Sequence, residues 1–600
     1  MVLCYLHKTF FKVKLYKIGG TCMNTNENKQ KIIMLFIVLG IFITIITGVT
    51  FSYLAPTINN LENESTVAFN AGVIAIDFKN GINQIEASDI LPGWSKTKTF
   101  SLIATNTTSI RKADAMNYSL KLIVESNTFS DNAIAVSLKS TNTSNNGTIA
   151  KIIPGTLLSG ASEVSLGFGS FDATKEIGEA GAKHDFELTV SFPEQYRSQS
   201  SDMGKHLSAH VSIGKANELG TLTIADNYEK TNITTSVEKN KEVTLLSLYK
   251  YPVNRYLSIV SGEGTINANK LTLKSDEMKV AINYPSITNT ISSLDKDENG
   301  LEVDDTPDKN LRYVGASPKN YINFNNETWR IVGVFNNITS IDEQGNTKKE
   351  SLVKIVRNES LGSYSWDATG NINYGFNNWT EADLKNELNG DYLNTALTSN
   401  KTNWYNSYWE SGKPVLRQTG VFDYTKVIKS NYQNMISESV WNIGGNTFNN
   451  PNTPPYGLPL LDQYNKERGT ITYQNSRPTT WTGKVGLIYA SDYGYASTNS
   501  ECRENLRAGV KYDTSNNSWD YLNGKCKTDN WLAKSSWYWT VSPYSGYSDL
   551  VFGVYGDGTV NDFSAYDSGD VFPAVFLKSD VVIAGGTGNE KDPYKILKSS

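Results

Sequence analysis

Between Ser65 and about Ala216 the chain repeats one pattern: short runs of alternating apolar and polar residues, broken by Gly, Asn, Ser and Asp. The runs "KTFSLIAT", "NYSLKLIVE", "AIAVSLKS", "HDFELTVSF" and "LSAHVSIG" each place their apolar residues on one side of an extended backbone, because successive strand side chains point to opposite faces. Repeated strands of this length with turn residues between them predict an all-β sandwich. "LPG" at Leu91 to Gly93 supplies one turn, and Pro193 ends a strand.

Six hundred residues exceed what one hydrophobic core serves, so several domains are expected. Before the sandwich lies the one long apolar run, Ile32 to Leu54, uncharged throughout. At about 1.5 Å per residue it is long enough to cross a hydrocarbon core of roughly 30 Å. Lys29 and Lys31 precede it and no basic cluster follows, so residues 1–31 are expected in the cytoplasm and everything after Pro56 outside. The run reads either as a retained transmembrane anchor or as a signal peptide cleaved after the best small-residue pair, Thr50 and Ser52. Met23 is an alternative start, with "MNTNENKQK" as a signal n-region. The formal charge of −5 is small for this length and argues against a nucleic-acid partner.

Cysteine placement agrees with export. Cys4 and Cys22 precede the apolar run, whereas Cys502 and Cys526 follow it as a close pair that is expected to form a disulfide. Closing that loop contributes about 3 kcal/mol in the chain-entropy model.

"GVTFSYLAP", "ILPGWSKTKTFSL", "NYSLKL" and "HDFELTVSFPE" resemble the camelysin/TasA-like group of exported Firmicute proteins over roughly Ile32 to Ala216. That resemblance implies a jelly-roll-like sandwich behind a specialised signal peptide, and a place among proteins that include biofilm matrix components. It also raises metallopeptidase activity, which directs attention to His184, His206 and His210. There is no HExxH motif, and His206 and His210 on one strand stand about 13 Å apart, too far to share an ion. Strand histidines, half exposed, are the preferred reading.

Residues 219–284 alternate again around "SGEG" and "NAN" turns and read as a small β module, a spacer or Ig-like repeat. Residues 286–310 form the densest acidic stretch and read as a solvated linker. Asp295, Asp297, Asn299 and Gly300 match the opening of a calcium loop, but the twelfth position, where a bidentate carboxylate belongs, is Thr306. From Leu311 the composition changes: all but one of the twelve tryptophans follow it, Trp94 being the exception. "LRYVGASPKNYINFNNETWRIVGVF" predicts two strands around an Asn-rich turn. In "NNWTEADLKNELNGDYLNTAL" a helix capped by Thr380, with Asp383 three residues on and Leu384 and Leu388 on one face, is expected. Residues 311–600 are therefore predicted to form an α+β domain.

"YNKERG", "WTGKVGLIYASDYGYAS", "CKTDNWL", "WTVSP" and "GGTGNEKDPYKI" resemble an uncharacterised domain of surface proteins from gut Firmicutes. More distantly, a Trp-rich α+β domain ending in a hairpin and a "PAV" strand is similar to the C-type-lectin-like fold, which implies sugar binding, adhesion or receptor roles. Phe572 stands where related endings carry arginine.

Read from the residues, Leu550, Phe552 and Val554 give a hairpin strand one apolar face, Gly556 to Gly558 a turn, and the other face Tyr555. The residues expected to offer a ligand surface are Tyr544, Tyr547, Asp549, Tyr555, Asp557, Asn561, Asp562 and Tyr566. Tyrosines give large contact area at small entropic cost and Asp and Asn give adaptable hydrogen bonds; a solvated surface of the same composition is the competing reading. No histidine follows His210, which removes Ser/His, Cys/His and histidine-metal schemes from this domain. Paired carboxylates depend on the fold, and Glu467 with Arg468 is preferred as a structural ion pair. The expected function is a non-enzymatic, membrane-anchored or secreted surface protein, needing no cofactor, that displays an adhesin- or receptor-like domain to a surface glycan or protein. A matrix fibre formed through the sandwich, or a metallopeptidase or carboxylate-dependent hydrolase, are the alternatives.

Overall fold

The alternation forms sheet throughout. A computed structural model describes residues 65–598 apart from 68–73, 81–84, 107–115, 142–146, 161, 172–181, 196–198, 251, 370–374, 411–412, 447–458, 470–476, 507–509, 514–517 and 522–524. The expected cytoplasmic residues 1–31 and apolar run 32–54 lie outside the described residues; among those described, no helix is long and apolar enough to cross a membrane. The described residues are β-rich, with several sheets and only short helices among them.

Six strands form one sheet in the order Ser65–Val67, Ile74–Asn80, Trp94–Asn106, Ala182–Phe192, Ala135–Ser140, Gly155–Thr156. The facing sheet contains Ile85–Ser88, His206–Lys215, Met116–Asn127 and Ser162–Phe171. Strand Ala182–Phe192 buries every second residue, the signature of a sheet with one face in a core. Phe100 stacks on Phe186 at 5.1 Å inside. His184 differs from the half-exposed histidine expected: it is fully buried, stacked on Phe171 at 4.1 Å, with Nδ1 2.7 Å from the Tyr118 hydroxyl. His206 lies 2.8 Å from Ser126 Oγ and His210 pairs with Glu125 at 3.0 Å. Among the described residues no cluster of three His, Cys, Asp or Glu side chains is placed to hold a metal ion.

The facing sheet does not end at residue 216. Phe168 pairs with Ser236, so that strands Thr231–Glu238, Leu219–Asp226, Glu277–Asn283 and Tyr256–Ser261 continue it to eight strands. Leu219–Asp226 runs parallel to Glu277–Asn283, and a three-stranded sheet packs alongside. The β module at 219–284 thus shares a sheet with the sandwich.

The acidic stretch 286–310 is ordered. Helix Ile287–Ser292 is capped by Ser286, whose hydroxyl accepts from Asn289 N, and helix Lys296–Asn299 by Asp295, which accepts from Glu298 N; Gly300 at φ 70° stops the latter. Ile287, Ile291 and Leu294, at spacings of four and three, are buried while Asp295 and Asp297 face solvent. The apolar period decides the conformation, and the acids occupy the outer side. In this helix Asp295 and Asn299 serve one another's turn, Asn299 Nδ2 donating to Asp295 O at 2.7 Å, and the three calcium-loop candidates form no loop.

Beyond it, an eleven-stranded sheet centres on Glu327–Ile341 and Thr347–Arg357, with Ala574–Leu577 and Tyr321–Phe324 on either side. The Asn-rich turn is as expected: Asn325 and Asn326 take φ 58° and 61°, the left-handed pair a two-residue hairpin requires. Helix Asp383–Asn389 buries Leu384 and Leu388, but it starts later than expected; Thr380 bonds Asn378 Oδ1 and caps nothing. A five-stranded sheet runs Ser363–Ser365, Ser568–Asp570, Tyr538–Pro543, Leu550–Val554, Val560–Ser564. Cys502 and Cys526 are bonded and buried.

Charges are buried where these elements meet. Arg312 donates from Nε to Asp304 at 2.9 Å and from Nη1 to Asp492 at 2.6 Å, and Lys354 Nζ reaches the second Asp492 oxygen at 2.6 Å. All four side chains are within 2 % of fully enclosed. The Lys354 ammonium sits 4.2 Å from the Tyr489 ring centre and 5.0 Å from that of Trp441. Burial pushes the Asp492 carboxyl up, but Lys354 and Arg312 outweigh it and hold it at about 2. Burial lowers Lys354 to about 8 against the pull of Asp492. Removing one partner strands the others, so Asp492→Asn is expected to cost about 3–5 kcal/mol in denaturant unfolding. Because the folded value lies below the unfolded 3.8, the wild type also loses stability as pH falls from about 4 towards 2. The variant should lack that component of the acid response.

Candidate functional site

The turn 544–549 joins the strands Tyr538–Pro543 and Leu550–Val554 and carries three of the eight expected residues. Tyr547 is 60 % exposed and stacks on Tyr544 with ring centres 6.0 Å apart and planes 19° from parallel. Tyr544 in turn meets Phe552 edge-on at 5.4 Å, which roots the pair in the core.

The backbone of this turn is held from outside. Asn377 Nδ2 lies within 2.7–2.8 Å of the carbonyls of Tyr544, Tyr547 and Leu550, and Asn377 N donates to Ser548 O at 2.8 Å. Arg477 Nη2 donates to the same Ser548 carbonyl at 3.0 Å. Burial raises the Asp549 carboxyl, and Arg477 opposes that shift. Neither Asn377 nor Arg477 was picked out from sequence; their partners are carbonyls about 70 to 170 residues away, which no local pattern announces.

The remaining five candidates do not share this surface. Tyr555 and Asp557 occupy the turn at the far end of the five-residue strand Leu550–Val554, about 17 Å along it. There the "GDG" turn forms as expected, with Asp557 Oδ1 accepting from Thr559 N and Gly558 at φ 91°. Asn561 and Tyr566 are buried at 7 % and 3 % exposure, and Asp562 lies opposite Phe552. The alternation suggested one open strand face, but Val551, Phe552 and Val554 are all fully buried. Phe563 covers the Gly553 side, since a Cβ on that glycine would meet its ring at 2.8 Å. Phe563 then stacks on Trp537 at 4.1 Å and packs against Tyr555 at 4.6 Å, a half-buried aromatic ridge that sequence reading missed.

Two further groups of buried and half-buried carboxylates lie in the C-terminal region. Glu467 is fully buried and receives the Ser542 hydroxyl at 2.7 Å, Gln463 Nε2 at 2.9 Å and the Ser491 hydroxyl, with Arg468 3.9 Å away. Its lone pairs are spent tying two helices to a strand. A second group is Asp367, Asp383 and Glu387. Asp383 accepts from Ala368 N and the Thr369 hydroxyl, both at 2.8 Å, and Asp367 from Phe376 N at 2.6 Å. Burial raises Asp367 to about 6, and burial reinforced by Asp383 and Asp391 raises Glu387 to about 9. Among the described residues, neither of two large clefts is lined by these carboxylates. Compared with known proteins, the chain matches no family model and no curated protein.

Glu387 gives a pH test of this geometry. Its folded form keeps a proton that the unfolded chain releases near 4.5, so its stabilisation is complete at acid pH and is lost as pH rises to about 9. Glu387→Gln should match the wild type in thermal unfolding near pH 4.5 and exceed it by about 1–3 kcal/mol near pH 9.

Proposed function

We propose that this chain is a bacterial cell-surface or exported protein without enzymatic activity, whose C-terminal α+β region presents a ligand-binding face to a surface glycan or protein. Residues 32–54 carry it to the membrane, as anchor or as signal, and the β-sandwich with its β module holds the face outward. A C-type-lectin-like arrangement of the C-terminal region belongs to the same proposal.

One observation carries the reading: the Tyr544–Tyr547 stack, Tyr547 exposed and Tyr544 half-buried, stands on a turn whose backbone is fixed by Asn377 and Arg477. A rigid aromatic anchor avoids the ordering cost a free loop would incur on binding. The buried carboxylates, by contrast, are engaged in or packed into the interior. Screening the full chain against surface glycans and proteins should give binding that Tyr547→Ala weakens at least about tenfold. Asn377→Ala should weaken it similarly by releasing the turn while leaving both rings in place. Binding indifferent to both substitutions would remove the turn from the proposal.

A second reading, assembly into matrix fibres, is favoured by the outermost strand Tyr256–Ser261. It is an edge of the eight-stranded sheet, without a charged residue, and exposes Tyr256, Ile259 and Val260 at 54 %, 39 % and 57 %. Light scattering that rises with concentration, and that Val260→Lys abolishes, would select it.

A further inference from the structure

A cleft of about 550 Å³ opens where the sandwich, the β module and the two helices after residue 286 meet. Asp131 and Asn132 come from the sandwich, Tyr249 and Asn254 from the module, and Asn289 and Asp295 from the helical segment. Its volume falls within the range of small-ligand sites, and junctions between domains are where such sites concentrate.

The lining has a definite chemistry. Pro252, Pro285 and the Tyr249 ring supply apolar faces, while three asparagines and three carboxylates, Asp131, Asp295 and Glu298, supply donors and acceptors. Among the described residues no lysine or arginine lines it. An anionic ligand would therefore meet carboxylates with no cation to offset them. Several of these groups are already oriented: Asp131 Oδ1 accepts from Ser159 N at 2.6 Å, Asn132 Oδ1 from the Thr156 hydroxyl at 2.9 Å, and Asp295 Oδ1 from Glu298 N at 2.9 Å. Thr290, also in the lining, is 2 % exposed and its hydroxyl has no hydrogen-bond partner among the described residues. A buried hydroxyl left without a partner costs free energy that a ligand group can recover.

We propose that this cleft is a binding site for a neutral oligosaccharide. A sugar hydroxyl both donates and accepts, which suits a wall of amides and carboxylates, and the C–H face of a sugar ring matches the Tyr249 ring and the prolines. The site is separate from the tyrosine turn and does not rest on it.

The test is titration calorimetry on the full chain with three neutral trisaccharides, cellotriose, chitotriose and maltotriose, beside sialyllactose and calcium ion alone. At least one neutral sugar should bind, sialyllactose should not, and Asn254→Ala and Asn289→Ala should each weaken the neutral sugar about tenfold. Thr290→Val preserves shape and removes a hydroxyl that bonds nothing, so it should weaken the sugar while the melting temperature stays the same or rises. Tyr547→Ala should leave this binding intact. The proposal is overturned if no neutral sugar binds, if the cleft variants bind as the wild type does, or if Tyr547→Ala alone abolishes binding. Calcium binding that Asp295→Asn removes, without sugar binding, would also overturn it, as would a Thr290→Val chain that melts lower.

Discussion

Asp492 pairs with two buried cations at once, and the C-terminal region is organised around that carboxylate. Arg312 comes from the strand that follows the acidic helices, Lys354 from the centre of the large sheet, and Asp492 from the short helix Ala490–Tyr495. Each taken alone would be prohibitively expensive to enclose; together with Asp304 they sum to zero charge inside an aromatic shell. The pairing also fixes register. Hydrophobic contact is non-directional, whereas a guanidinium that must satisfy two carboxylates from different elements fixes both distance and angle. The segment after residue 286, the sheet and the helix are thereby locked to one relative placement.

The same logic recurs at smaller scale. Glu467 joins its own helix to Ser491 and Ser542, and Asp226 receives the Tyr284 hydroxyl beside Arg255 within the β module. Aromatic residues fill the volume between these polar joints: Trp329, Trp366, Trp379, Trp404, Trp441 and Trp539 are all essentially inaccessible. A domain so rich in tryptophan uses it mainly as interior mass, with indole N–H groups such as those of Trp366 and Trp539 satisfied by strand carbonyls.

How far the chain could be read from its sequence follows from the range of each interaction. Strand alternation is local, so the sandwich strands, the Asn325–Asn326 turn, the "GDG" turn and the Cys502–Cys526 pair were all legible. Acidity misled at 286–310, where composition suggested a linker while the spacing of Ile287, Ile291 and Leu294 fixed helices. The eight candidate ligand residues share a type, and the fold divides them: Tyr544, Tyr547 and Asp549 on one turn, Tyr555 and Asp557 on another, Asp562 half-buried on the return strand, and Asn561 and Tyr566 inside. Which face of strand Leu550–Val554 stays open depended on Phe563 and Trp537 folding over Gly553 and Gly569, and that is a property of the sheet rather than of the strand.

Asn377 has a consequence for variation. It grips the turn 544–549 through main-chain oxygens, which every residue type possesses, and Arg477 does the same at Ser548. The path of the turn is therefore uncoupled from the identity of the side chains at 545 to 548. Substitutions there can change the chemistry of this surface without reshaping its support, so the side chains of the turn are separated from the maintenance of its backbone.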